Sequence, residues 1–381
     1  MAIWKRATVD QREEMVLKWL SGQYKAAEVA EQFEVSRMTL YEWTGRYRAD
    51  GRSGLVDLPP IAKSCPHKTP AALEKLIVEA REQYGWGPKK LRVVLTRQHP
   101  EIVWPQPSTI GEVLDRNGLT KARPRRRKTS TPFRRKFQPE AAGELTTVDF
   151  KGQFKTGDGV YCYPLTMMDL TSRYLLACDG KTSTAGEGVW PVYQRVFREH
   201  GLPKAMQSDN GTPFVGANSI ARISRLSVKL MKLGIQPVIN DLGHPEQNGA
   251  HERMHATLKA ATARPPAKNM REQQKRFDQF QAQYNDERPH EALGMDVPSS
   301  KFNGSPRPFP RKEPKVDYDS HLEVRVVSNV GTIKFNNQVF FLGDPLSGER
   351  IGLEPVDDGI WSIQFGRFEL VRLDERSGDL A

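Results

Sequence analysis

Cysteine is scarce in this sequence. Its 381 residues include three cysteines, Cys65, Cys162 and Cys178, and no C-x-x-C pair. That number and spacing exclude a framework of disulfides and a zinc site built from cysteines, and they suit a reducing compartment. Long apolar runs are also missing, and the first residues lack the apolar core of a secretory signal. We therefore expect a cytoplasmic protein without a membrane span.

Acidic residues are missing from one stretch, and this absence accounts for most of the positive net charge. The chain carries 57 Lys and Arg against 46 Asp and Glu, a net charge of +11. Residues 1–120 hold 18 basic and 15 acidic residues, and residues 137–381 hold 30 and 31. Residues 121–136 hold nine basic and no acidic residues. Such a block is typical of a solvated tether that contacts phosphates, with Arg125, Arg126 and Arg127 as candidate DNA contacts. A linker that only maintains solubility is the alternative.

Residues 26–43 have the layout of a helix-turn-helix. Apolar residues at spacings of three and four predict helices throughout residues 8–48. Small Ala30 would allow the two helices to approach closely, and Ser36 is a good N-cap for the second helix. Glu34 occupies a turn position where glycine is common, because a positive φ costs least there. An ordinary helical hairpin is the alternative interpretation.

The second helix of this motif carries the candidate DNA-reading residues. Helix-turn-helix modules contact base edges with the first residues of that helix. Arg37, Met38, Thr39 and Tyr41 occupy those positions, and Arg37, Thr39 and Tyr41 are the candidate DNA contacts. We therefore predict a DNA-binding domain over residues 1–53. Three more predicted helices over residues 66–120 indicate a second helical domain of the winged-helix or helix-turn-helix kind, with a helical spacer as the alternative.

The predicted secondary structure changes from helices to strands after the basic linker, which we place at residues 121–142. Predicted strands come first in residues 143–302 and then alternate with helices, which favours a mixed α/β sheet. Short strands separated by turn residues dominate residues 320–381. They predict a small all-β domain, a barrel of five or six strands. The fold class is therefore multidomain: all-α modules, an α/β core and a β-barrel.

Three acidic residues of the α/β core stand out by their surroundings. Asp149 lies inside an apolar strand, Asp209 at a strand end before a tight turn, and Glu252 just inside a helix start. A carboxylate in an apolar strand is costly unless a cation is close. Three carboxylates brought together would repel unless cations fill the space between them, and Mg²⁺ prefers oxygen ligands. Two such ions would activate an attacking oxygen and stabilise a leaving oxygen at phosphorus.

Five segments, in this order, resemble the catalytic core of DDE transposases of the retroviral-integrase type. They are Thr147-Val-Asp-Phe-Lys-Gly152, Leu170-Thr-Ser-Arg-Tyr174, Ser208-Asp-Asn-Gly-Thr-Pro-Phe214, Gln247-Asn-Gly-Ala-His-Glu-Arg253 and Tyr284-Asn-Asp-Glu-Arg-Pro-His-Glu-Ala-Leu293. The combination is far more specific than any single motif. The whole chain is most similar to bacterial insertion-sequence transposases with N-terminal helix-turn-helix modules.

The resemblance implies a ribonuclease H-like core in which Asp149, Asp209 and Glu252 bind two Mg²⁺ or Mn²⁺ ions. It also implies cleavage of DNA strands at the terminal inverted repeats of an element and joining of the 3′-OH to target DNA. Lys259 matches a basic position that touches substrate DNA in such enzymes. A homodimer or larger assembly is expected, because two DNA ends must be handled together. A nucleoid-associated location in a bacterial cytoplasm follows from the same resemblance.

The spacing of the acids departs from the family. Asp209 and Glu252 are 43 residues apart, a longer interval than is usual in such enzymes. We expect a helical insertion over residues 219–232, and Glu246 is the only nearby rival acid. Asp169 follows a strand without the surroundings of a metal ligand, so we interpret it as structural.

The same glutamate lies in a second motif. His251-Glu-Arg-Met-His255 reads H-E-x-x-H, the pattern of zinc metallopeptidases, in which two histidines on one helix face hold zinc. Charged Arg253 and the unexplained aspartate motifs argue against a peptidase. A DNA-binding regulator with an inactive core is the other alternative, although all three acids are present.

Overall fold

A computed structural model describes residues 7–57, 68–120, 136–216, 219–241 and 244–380. Contacts divide the chain into two units, residues 1–69 and residues 70–381. The basic residues Arg125, Arg126 and Arg127 lie outside the described residues, as does Cys65. Within the described ranges, no helix is both long enough and apolar enough to cross a membrane. The division into five domains stays a prediction.

The first unit is a three-helix module. Its helices are α1 (Val9–Leu20), α2 (Ala26–Gln32) and α3 (Arg37–Asp50). The Ser36 side chain caps α3 by accepting a hydrogen bond from the Thr39 backbone at 3.1 Å, as the sequence predicted. The backbone N–H of Val35 donates to the Ala30 carbonyl at 2.9 Å and closes the turn. The turn residue Glu34 has φ 53°, so a glutamate adopts the conformation that favours glycine.

The second unit begins with three more helices. These are α4 (Ala71–Tyr84), α5 (Pro88–Gln98) and α6 (Pro107–Arg116). They enclose an apolar core centred on Ile77, Leu91, Trp104, Ile110 and Leu114. Residues 68–120 contain no strand, so the described part of this module has helices without a wing.

A mixed sheet forms the centre of the second unit. Its strands lie in the order β4-β3-β1-β5-β6, and the short β2 also pairs with β3. The antiparallel part joins β1 to β3 and β3 to β4, whereas β1, β5 and β6 are parallel. The strand bounds are β1 (Leu145–Phe150), β2 (Phe154–Lys155), β3 (Tyr161–Asp169), β4 (Leu175–Lys181), β5 (Ala205–Ser208) and β6 (Gln236–Ile239). The predicted mixed α/β core is confirmed.

Helices cover both faces of this sheet, because successive strand residues point to opposite faces. Met167 and Leu176 pack against one pair of helices, α7 (Trp190–His200) and α8 (Arg225–Lys232). Met168 and Leu175 pack against the other pair, α9 (Gly249–Thr262) and α10 (Met270–Ala282). The helix that carries Glu252 is thereby fixed to the sheet that carries the two aspartates.

The predicted helical insertion over residues 219–232 is partly wrong. The α-helix begins at Arg225, and a single 3-10 turn, Ile220–Arg222, precedes it. Ala221 has φ 47° and Arg222 has φ 55°, which no helix accommodates. Residues 217 and 218 lie outside the described ranges. The second half of the predicted stretch is therefore an α-helix, and the part before Arg225 is irregular.

The C-terminal strands are present, but they do not form the predicted barrel. They are β7 (Glu323–Val326), β8 (Thr332–Phe335), β9 (Gln338–Phe341), β10 (Arg350–Asp357), β11 (Ile360–Phe365) and β12 (Phe368–Asp374). Across residues 320–380 they make a four-stranded sheet, β12-β11-β10-β7, and a separate hairpin, β8-β9. Closure requires the two edge strands to pair, and β12 and β7 do not pair within residues 320–380.

Candidate active site

Asp149 and Asp209 lie side by side at the same edge of the sheet. Their strands β1 and β5 are parallel, and Val148 is paired with Ser208. The next residue on each strand is therefore one of the two aspartates. Neighbouring strands are about 4.8 Å apart, so parallel pairing brings together two carboxylates that are 60 residues apart in the sequence. The structure thus brings together two of the three predicted site residues.

Burial and like charge both disfavour an ionised Asp149. Its side chain is 16% exposed. The pKa of Asp149 is raised to about 7. Burial is the largest cause, and the charges of Asp209 and Glu252 contribute to the same shift. The side-chain amide of Asn248 donates to Asp149 Oδ2 at 3.2 Å. The charge of Lys151 and a backbone hydrogen bond of Phe150 lower the pKa of Asp149, but they do not offset burial.

Glu252 approaches the aspartates less closely. It lies in the first turn of α9, and its side chain is exposed. Among the described residues it forms no hydrogen bond or ion pair, and it acts on Asp149 only through its charge. Within the described ranges, no three or more His, Cys, Asp or Glu side chains are grouped closely enough to hold a metal ion. Two acids are in place, and the third is nearby.

The donor chemistry nevertheless suits a divalent metal ion. Carboxylate oxygens are the ligands that Mg²⁺ and Mn²⁺ prefer. A cation between Asp149 and Asp209 would remove the repulsion that raises the pKa of Asp149. The residues therefore fit the predicted cofactor.

The two histidines of the H-E-x-x-H pattern point into the protein. His251 is fully buried and His255 is 5% exposed. The Nε2 atoms of both lie 2.7 Å from Thr166 Oγ1. His251 Nδ1 also lies 2.8 Å from Thr147 Oγ1. Both rings are thus engaged by threonine side chains of the sheet, which contradicts the open zinc site of the peptidase interpretation.

Burial keeps both histidines neutral. It lowers the pKa of His251 to about 3, and with the charge of His251 it lowers the pKa of His255 to about 2. His255 Nδ1 lies 3.7 Å from Asp149 Oδ2. A neutral imidazole makes no ion pair, so this contact supplies no countercharge to Asp149. The histidines fix the position of α9 on the sheet instead.

The remaining acids and Lys259 are placed as follows. The Asp169 carboxylate accepts hydrogen bonds from the Gly143 backbone at 2.8 Å and from Ser172 at 2.6 and 2.7 Å, which confirms its structural role. Glu246 is bonded to His244 at 2.7 Å. Lys259 is exposed on α9, seven residues after Glu252, and two helical turns place both residues on the same face.

The helix-turn-helix residues are also accessible. Arg37 is exposed and Tyr41 is 46% exposed, whereas Thr39 is half-buried and lies 2.8 Å from the Ser36 hydroxyl. Met38, which the sequence also places at the start of this helix, is 77% exposed. Sequence reasoning missed Thr166 and Asn248, which contact the Asp149 site. Only the three-dimensional pairing reveals them, because threonine and asparagine are common residues with no local signature.

Models of known families match most of this arrangement. Two integrase core domain models match residues 139–245 and 233–298. A helix-turn-helix domain model matches residues 11–63, and a homeodomain-like domain model matches residues 39–114. The chain therefore carries an integrase core domain behind helix-turn-helix domains. This result confirms the resemblance to transposases and integrases with an integrase core.

Viral polyproteins are among the similar curated proteins. The Gag-Pol polyprotein of baboon endogenous virus (strain M7) is 25% identical over 184 residues, which are 47% of this chain and 10% of the polyprotein. The Gag-Pol polyprotein of woolly monkey sarcoma virus is 26% identical over 243 residues, 63% of this chain and 13% of that protein. The chain thus spans only about a tenth of the length of these relatives.

Solved structures similar to the chain include two viral integrase structures. One is the HTLV-2 integrase catalytic core domain in complex with magnesium, with a TM-score of 0.35, 10% identity and coverage of 44% of this chain and all of that one. The other is a simian T-cell lymphotropic virus intasome in complex with PP2A regulatory subunit B56 gamma. Its TM-score is 0.39 and its identity 12%, with 77% of this chain and 97% of that chain covered.

Proposed function

We propose that this protein is a bacterial DNA transposase. It binds the terminal inverted repeats of an insertion sequence, cleaves DNA strands at the element ends and joins the 3′-OH to target DNA. The adjacency of Asp149 and Asp209 at the edge of the sheet is the observation that carries the proposal. The matched integrase core domain and helix-turn-helix domains support it.

In this proposal the site residues have separate tasks. Asp149, Asp209 and Glu252 would hold two Mg²⁺ or Mn²⁺ ions, which supply an activated oxygen nucleophile and a stabilised leaving oxygen when bound. Glu252 has to move toward the aspartates, since its side chain is exposed and unbonded among the described residues. Lys259, on the same face of α9, would contact the DNA backbone. Arg37, Thr39 and Tyr41 would read the inverted repeat, and the basic linker would follow phosphates between domains.

Assembly and location are part of the same proposal. Two element ends must be cut and joined together, so the protein would act on DNA as a homodimer or a larger homo-oligomer. It would work in the cytoplasm of a bacterium, on the nucleoid.

A joining assay tests the proposal. The full chain is incubated with an oligonucleotide duplex that carries the element end, with target DNA and Mg²⁺, and joined products are separated by size. We expect joining by the wild type, and a loss of at least about a hundredfold in Asp149→Asn, Asp209→Asn and Glu252→Gln, because each substitution removes a charged metal ligand. Glu246→Gln is the matched control, and it should join like the wild type.

Two outcomes would contradict the proposal. Joining that survives Asp149→Asn or Asp209→Asn would remove the carboxylates from the reaction. Tight, sequence-specific binding of the element end by the wild type without any joining would favour a regulator with an inactive core. The open arrangement of Glu252 is the observation that keeps this second candidate in view.

A further inference from the structure

Cationic side chains converge where the α4–α6 module meets the segment that follows α10. Lys90 lies in the first turn of α5, Arg173 in the turn between β3 and β4, and Arg288 and His290 after α10. Among the described residues, none of these four side chains forms an ion pair with an acid within 4.0 Å. Other cationic side chains of the fold do form ion pairs at shorter distances. Glu291 and Asp169 are the acids whose charges reach the group.

Two buried nitrogen atoms in this cation cluster (Lys90, Arg173, Arg288 and His290) have no hydrogen-bond partner in the described structure. They are Arg173 Nη1 and His290 Nε2. His290 is 9% exposed, and a buried polar atom without a partner is costly. The Asp169 carboxylate accepts from Gly143 and Ser172 and makes no hydrogen bond with Arg173 Nη1. Among the described residues, the guanidinium donor Arg173 Nη1 therefore has no acceptor.

Aromatic rings hold the cluster in place. The Arg288 guanidinium lies 5.5 Å from the centroid of the Trp86 ring, a cation–π contact. The His290 ring meets the Tyr284 ring edge-on, with centroids 4.7 Å apart. Trp86 in turn stacks on Tyr84 at 4.5 Å. These contacts fix the side-chain directions before any ligand arrives, so less conformational entropy is lost on binding.

The backbone at Arg173 is also unusual. Its φ is 64°, in the left-handed region that favours glycine. An arginine kept in that conformation costs folding free energy. Such costs concentrate at functional sites, where the side chain is needed.

The effects of these groups on one another's pKa are those of charges that lie close together. The charges of Lys90, Arg288 and Arg173 add to burial in lowering the pKa of His290 to about 4. Burial and the charge of Arg288 lower the pKa of Lys90 to about 8. Arg253, the residue after Glu252, acts on Arg173 in the same way. The cluster is therefore electropositive and lies beside the helix that carries the third acid.

We propose that the cation cluster binds one phosphodiester group of the DNA backbone. A phosphate offers the acceptor oxygen that Arg173 Nη1 lacks, and arginine binds it through two parallel hydrogen bonds. The proposal rests on the proposed function, since it supplies a grip on the DNA that the core would cut.

Salt-dependent binding of the full chain tests this site. Affinity for a 30-base-pair duplex is measured by fluorescence anisotropy in EDTA between about 50 and 300 mM salt. The variants are Arg288→Gln, Arg173→Gly and the double variant. Because glycine suits the φ of Arg173, Arg173→Gly should fold even if Arg288→Gln does not. Arg271→Gln, an exposed arginine of α10 without an ion pair among the described residues, is the control.

One shared phosphate gives a distinctive result. The slope of log affinity against log salt should fall by about 0.9 in the double variant, the loss of one phosphate contact, with a five- to thirtyfold weaker affinity near 100 mM salt. Arg271→Gln should keep the wild-type slope. An unchanged slope in folded variants overturns the site, and a fall of about 1.8 overturns the single shared phosphate.

A second arm separates the two sources of phosphate. Inorganic phosphate is titrated into the wild type and into Arg288→Gln by calorimetry. Binding that depends on Arg288, with an unchanged DNA slope, would show a free-phosphate site and overturn the DNA assignment. The joining assay is run in parallel. If the wild type joins DNA but the variants keep the wild-type salt slope, this site alone is refuted. If the variants have a lower salt slope but the wild type does not join DNA, the proposed function is refuted and the site stands.

Discussion

Asp149 and Thr166 lie directly opposite each other on β1 and β3, and the Thr166 hydroxyl donates a hydrogen bond to the Asp149 carbonyl at 3.0 Å. A threonine hydroxyl has one donor and two acceptor positions. When its proton goes to Asp149, its two lone pairs accept from His251 and His255 in the tautomers that carry the proton on Nε2. One side chain therefore connects the strand of the first aspartate to the helix of the glutamate.

Thr166→Val should disturb catalysis through position rather than through charge. Valine has the same shape but leaves two buried Nε2–H groups without an acceptor, at about 1–3 kcal/mol each. We expect weaker joining, a higher Mg²⁺ concentration for half-maximal rate, and a lower melting temperature. Thr166→Ser keeps the hydroxyl and loses one methyl group, at about 1 kcal/mol. It should need the wild-type Mg²⁺ concentration; equal Mg²⁺ dependence of the two variants would remove Thr166 from this role.

Glu34→Gly should stabilise the helix-turn-helix. The residue has φ 53°, where a side chain costs about 1–2 kcal/mol and glycine costs little. Glu31→Gly, three residues earlier inside α2, has a helical backbone and should destabilise by about 1 kcal/mol. Hydrogen exchange of α2 and α3 amides in the full chain measures both. Two changes of the same sign would contradict the conformational explanation.

Neutralising Arg125, Arg126 and Arg127 to glutamine should weaken binding to all DNA sequences alike. Each phosphate contact that is lost should lower the salt slope by about 0.9. Duplexes with and without the element end, measured across a salt series, supply the comparison. If the triple variant altered only sequence preference, the basic linker would not be a phosphate tether.

DNA binding should weaken as the pH rises through about 8. Burial and the charge of Arg288 lower the pKa of Lys90 to about 8, so the free protein loses this positive charge above that pH. A bound phosphate would hold the proton on, which means that affinity falls with rising pH. His290 is already neutral there, and Arg288 and Arg173 stay charged. Lys90→Arg should keep its affinity up to about pH 9.5, and an equal decline in both proteins would exclude Lys90 as the titrating contact.

The sequence predicted well those elements that depend on a single strand or a single helix cap. The core begins with strands and Ser36 caps its helix, as the sequence predicted, because side-chain alternation and capping are set by neighbours a few residues away. The barrel was wrong for the opposite reason. Whether two edge strands meet depends on twist and strand number across the whole domain, and no single strand records that.

The sequence by itself determined the basic linker, the strands and the order of the acidic motifs, since each depends on composition or short spacing. The tertiary structure decided three other things. Parallel pairing of β1 with β5 placed Asp149 beside Asp209. The packing of α9 turned His251 and His255 inward, away from the zinc arrangement that the same letters allow. The meeting of α5 with the segment after α10 gathered the cation cluster, because charges distant in the chain approach only when a core is buried between them.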